Sequence, residues 1–156
     1  MANSASGVTF QLSPYSRGLE ATAKCRYLEK LGECQCDCPY IIPEHLWKYG
    51  TDLRGFLPPI RNDEKFMHLI AKHSKLTSDA FAAYKNLRAD QYLTNGWTKC
   101  FGGLPLRNGN DILKAKITHS QSRNDSPLCP WAVLTHNIGK VIHAHCDCAA
   151  GLVMLH

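Results

Sequence analysis

The chain has 156 residues, of which 44% are hydrophobic and 20% charged, with 18 Lys and Arg against 13 Asp and Glu and a formal charge of +5. That size is one domain, or one domain with an extra arm, and the balance is that of a soluble globular protein rather than a disordered one. The excess charge suits an acidic or nucleic-acid partner without requiring one. No stretch approaches the roughly 20 apolar residues of a membrane span, and the N-terminus lacks the basic and apolar regions of a secretory signal. The chain is therefore expected inside the cell, nuclear or cytoplasmic and not secreted. There its eight Cys would be metal ligands or buried thiols before disulfides.

Residues 1–16 read as a flexible lead-in with little apolar periodicity. From Arg17 the recurrence of Leu19, Ala23, Tyr27, Leu28 and Leu31 predicts a helix that Gly32 would end. Cys34-Gln35-Cys36-Asp37-Cys38-Pro39-Tyr40 cannot continue it through Pro39 and reads as a loop. Pro43 opens a short helical turn containing Leu46 and Trp47. Residues 50–61, with two Gly and the Pro58-Pro59 pair, read as an extended connection. Two helices are expected next. The first covers about residues 63–73 and buries Phe66, Leu69 and Ile70. The second is capped by Thr77, turns Phe81, Tyr84, Leu87 and Leu93 inward, and stops near Asn95-Gly96.

Beyond Gly96 the pattern changes to short strands. Residues 97–101 form a strand candidate, and Gly102-Gly103 and Asn108-Gly109-Asn110 are turn signals. Residues 112–119 set Ile112, Leu113, Ala115 and Ile117 against Lys114 and Lys116, as on a half-exposed strand. Residues 127–130 read as a loop. Residues 131–134 and 140–144 flank Asn137-Ile138-Gly139 as a hairpin, and residues 149–156 have the composition of a helix start. The expected fold class is α+β. A flexible lead-in (1–16) and a helical region (17–95) precede a small antiparallel β-sheet (96–156) that ends in a partial zinc knuckle.

That knuckle is Cys146-Asp147-Cys148. Zinc takes four ligands in a tetrahedron, and a Cys-x-Cys pair at a strand end can supply two thiolates to one ion. His156 follows eight positions after Cys148. The second thiol group, Cys34, Cys36 and Cys38 with Cys25 upstream, suits zinc or copper(I) as a soft-metal cluster, or a Cys-rich loop that caps helices. Cys100 and Cys129 are isolated and read as core. His143 and His145 share a strand face, with His145 the better spare ligand. A nucleic-acid surface could be drawn from Lys114, Lys116, His119, Gln121, Arg123 and Lys140, with Trp97 or Trp131 as stacking rings. No carboxylate cluster, phosphate loop or nucleophile–base pair points to catalysis or to a small-molecule substrate.

The stretch from His119 through Pro127-Leu128-Cys129-Pro130-Trp131, with Gly139-Lys140-Val141 and then Ala144-His145-Cys146-Asp147-Cys148-Ala149-Ala150-Gly151-Leu152, resembles a SWIM-type zinc finger and the signature upstream of it. Weaker similarity runs through residues 26–31, Pro39-Tyr40, residues 83–85 and Gly96-Trp97, so the likeness covers about residues 24–152. In animal proteins of this kind, many related to mobile elements, the finger often precedes a YqaJ-type (viral recombinase) nuclease domain. The resemblance implies Zn2+ as cofactor, Cys146 and Cys148 as ligands, and DNA or another protein as partner. It also implies a non-catalytic chain that is the N-terminal part of such a protein. Where the family places its third ligand this chain has His156. The expected Gly-Glu-x-Cys-x-His continuation is replaced by Val153-Met154-Leu155-His156, so the resemblance implies either a tail altered or truncated within the finger or the loss of a complete site. The rival expectations are a protein-interaction module with a structural or absent zinc site, and a metal-handling protein centred on Cys34, Cys36 and Cys38.

Overall fold

The structure is a computed structural model that describes residues 10–57, 98–118 and 125–148. The fold is α+β. The chain divides into two compact units, Met1–Leu46 and Trp47–His156. The helices expected over residues 63–73 and 77–95, the boundary near Gly96, and residues 149–156 lie outside the described residues.

In the first unit, the lead-in drawn over residues 1–16 contains a capped helical turn. Helix α1, Pro14–Gly18, starts with Pro at its first position, and the Ser13 hydroxyl accepts the Ser16 N–H at 3.1 Å. Ser at the N-cap followed by Pro is the local chemistry that starts a helix. Helix α2, Ala21–Cys34, buries Tyr27, Leu31 and Cys34, a stripe at steps of four and three. It runs two residues past Gly32. The reversal is made instead by Gln35, which stands in the left-handed region (φ 49°, ψ 43°) while the Cys36 N–H returns to the Leu31 carbonyl at 3.2 Å. Pro39–Ile41 and Glu44–Leu46 form 3-10 turns, so Trp47 falls just outside the turn expected to hold it. Tyr15 packs edge-on against Tyr27 and Tyr40, with ring centroids 5.9 and 4.9 Å away.

The second unit is built on an antiparallel meander of five strands in the order β1-β2-β3-β4-β5. They are β1 Lys48–Tyr49, β2 Thr98–Pro105, β3 Asn110–Ile117, β4 Trp131–Thr135 and β5 Val141–His145. Between β1 and β2 a short helix α3, Gly50–Arg54, occupies part of the expected extended connection. Gly102 and Gly103 are not a turn. They lie inside β2, paired with Lys114 and Leu113. Their lack of a side chain serves close approach. A Cβ at Gly102 would come within 2.7 Å of the Tyr49 ring, and one at Gly103 would collide with the Leu53 side chain. The true turn is at 106–109, where Gly109 has φ 80° and the Asn108 side chain accepts the Asn110 N–H at 3.1 Å.

The core of this unit contains Ile112 and Val133, both fully buried, with Trp131, Leu134 and Ala115 beside them. Strand β3 departs from the expected alternation. Asp111, Ile112 and Ala115 are buried, Lys116 is exposed, and Lys114 is half-buried because its ammonium lies 4.2 Å over the Trp47 ring. The buried Asp111 carboxylate meets His136 Nδ1 at 2.6 Å, which joins β3 to the start of the β4–β5 turn. That turn closes through Thr135, whose N–H reaches the Lys140 carbonyl at 2.9 Å and whose hydroxyl accepts the Lys140 N–H at 3.0 Å.

Candidate metal centre

Strand β5 delivers the knuckle. Its last residue, His145, pairs with Trp131 on β4, and Cys146-Asp147-Cys148 follows as the chain leaves the sheet. Both thiols are half-buried. The Cys148 N–H turns back to donate to Cys146 Sγ at 3.3 Å. Desolvation and the contact with Cys148 push the Cys146 thiol up to about 12, against the opposing pull of that backbone N–H. Two thiols one residue apart, one of them already receiving a main-chain amide, suit the soft half of a tetrahedral zinc site. Protons must leave for the ion to enter, so affinity there depends on pH. When bound, zinc would staple the end of β5 to the segment that follows it.

The sequence assigned no role to Asp147 beyond being the spacer, and took Cys129 for isolated core. The structure joins them: the half-buried Cys129 donates its N–H to Asp147 Oδ1 at 2.8 Å. Burial and the Asp147 carboxylate raise the Cys129 thiol pKa, while Lys116 and Lys114 lower it. Spacing carried no signal of this bond, because its partners lie 18 residues apart. His145 is 6% exposed and packs its ring 5.7 Å from Trp131, so it belongs to the wall of the sheet. His156 lies outside the described residues. Among the described residues, no group of three or more His, Cys, Asp or Glu side chains is placed to hold a metal ion.

The thiols of the first unit sit differently. Cys34, Cys36 and Cys38 are 0%, 4% and 0% exposed. Cys38 Sγ lies 3.1 Å from the Tyr27 hydroxyl and donates to Ser13 Oγ at 3.2 Å; Ser13 Oγ in turn reaches Ser16 Oγ at 3.2 Å, and Ser16 donates to the Ser13 carbonyl at 3.0 Å. This buried relay satisfies each hydroxyl and commits the Cys38 thiol. The neighbouring Cys34 thiol together with burial drives the Cys36 pKa far upward.

Of the candidate nucleic-acid residues, His119, Gln121 and Arg123 lie outside the described residues. Lys114 and Lys116 share one face of β3. Lys140 is apart from them: Lys114 stands opposite the first residue of β4, and Lys140 adjoins the last. Trp131 is 3% exposed and part of the core. No helix among the described residues is long and apolar enough to cross a membrane. No family model matches the chain, and neither a curated protein nor a solved structure matches it significantly.

Proposed function

We propose that this chain binds zinc through a SWIM-type knuckle in which Cys146 and Cys148 supply two thiolates and His156 a third ligand. Its role would be to shape a surface for DNA or for a partner protein rather than to catalyse a reaction. What supports the reading best is the pair of half-buried thiols at the end of β5, with the Cys148 main-chain N–H turned back onto Cys146 Sγ. Lys114 and Lys116 are the basic residues of this reading that share a face, and a contact made by them would weaken steeply as salt rises. An apolar protein interface would not. The Cys34, Cys36 and Cys38 loop is the rival centre, and the commitment of Cys38 to Ser13 and Tyr27 favours a packing role for it.

Elemental analysis of the purified chain tests the proposal. The expected result is one zinc per chain, lost in Cys146→Ser and weakened in His156→Ala. A metal-free wild-type chain under reducing conditions would overturn it.

A further inference from the structure

The way β5 ends explains how the Cys148 amide comes back onto Cys146 Sγ. Continuing the β4–β5 register past Trp131 and His145 would pair Pro130 with Cys146 and then Cys129 with Asp147, the next hydrogen-bonded pair. The Cys129 N–H points to the β5 side, because its neighbours are used on the other side. The Leu128 N–H donates to the Ile117 carbonyl at 2.8 Å, and the Pro130 carbonyl accepts the Ala115 N–H at 3.0 Å. In a continuing antiparallel ladder that amide would meet the main-chain carbonyl of residue 147. It meets the side-chain carboxylate instead, at 2.8 Å. The main chain of Asp147 is thus released from the sheet while its side chain stays tethered to it, and the following amide, Cys148 N–H, folds back onto Cys146 Sγ.

We propose that Asp147 is a positioning residue for the soft-metal site: its carboxylate stands in for the missing ladder carbonyl, ends β5, and holds Cys146 and Cys148 in chelating geometry before an ion arrives. The proposal rests on the reading of these thiols as a metal site, yet the tether itself does not depend on zinc. An anchored turn is preorganised and binds more tightly than a loose one, and outer contacts of this kind are worth about 10- to 100-fold in metal affinity. The role is that of a hydrogen-bond acceptor, so an amide oxygen at this position should largely replace the carboxylate.

The test uses the full chain with two probes, Zn2+ and phenylarsenous acid, which forms two As–S bonds with a pair of close thiols and releases two waters. Both titrations are followed at the Cys129, Cys146 and Cys148 amide resonances, so that the other thiols do not enter. Asp147→Ala should weaken both probes by about 10- to 100-fold and expose the Cys129 amide to solvent exchange. Asp147→Asn should recover most of the affinity and the protection. Equal binding by wild type and Asp147→Ala, or an Asn variant as weak as Ala, overturns the tether. A wild-type chain that takes the arsenical in an Asp147-dependent way but no zinc keeps the tether and overturns the zinc reading. If Asp147→Ala fails to fold, Asp147→Ser and Asp147→Asn provide the same contrast between a displaced and a retained acceptor.

Discussion

Two Cys-x-Cys segments of this chain carry the same spacing on different backbones. Cys34-Gln35-Cys36 closes a helix. There the carbonyl end of the helix dipole disfavours a thiolate, and both thiols are buried. Cys146-Asp147-Cys148 leaves a strand, stays half-buried, and turns a main-chain N–H onto one sulfur. Such an amide favours the thiolate. On the proposed zinc reading, the backbone that delivers a thiol pair, more than the pair's spacing, separates a packed pair from a chelating one.

The largest effect that could break this contrast is a swap of stoichiometry. Cys146→Ser with Cys148→Ser should abolish zinc uptake, and Cys34→Ser with Cys36→Ser should leave it intact; the reverse result in metal analysis would make the first unit the metal centre. The buried relay gives the next effect. Ser13→Ala removes both the α1 cap and the acceptor of Cys38, and should cost the first unit about 1–3 kcal/mol in a denaturant titration.

Titration should sharpen the comparison further. The Cys36 thiol is raised above its ordinary value in the folded chain, so its stabilising contribution is complete below about pH 9 and is lost above it. The slope is about 1.4 kcal/mol per pH unit for that one group. At the knuckle the expected dependence runs the other way. The Cys146 proton is held up to about 12, so zinc affinity should rise about tenfold per pH unit for this displaced proton between pH 6 and 8. The smallest effect belongs to Gln35. Its left-handed backbone suits glycine, and Gln35→Gly should stabilise the first unit by about 0.5–1 kcal/mol, readable as a small rise in its melting temperature.

Much of the sheet was legible because its signals are local. The existence of β3, the Asn108-Gly109 turn and the hairpin around residues 136–139 each follow from residues near in sequence. Gly102 and Gly103 misled for the same reason. As a pair they signal a turn, and only the approach of Tyr49 and Leu53, about 50 residues away, explains them as strand residues. Likewise Ser13 and Pro14 in an otherwise featureless stretch hide a capped helix. At the candidate site, spacing singles out Cys146 and Cys148 as candidates, whereas the tether from Asp147 to Cys129 is a long-range bond that no motif encodes.

The central claim, that the strand-end pair is the chelating one, is met most directly by cobalt(II) substitution under reducing conditions. A thiolate-to-cobalt charge-transfer band with tetrahedral d–d absorption should appear at one equivalent in the wild type and in Cys34→Ser/Cys36→Ser. It should vanish in Cys146→Ser/Cys148→Ser. A band that survives loss of Cys146 and Cys148, or that never forms in the wild type, would contradict the account.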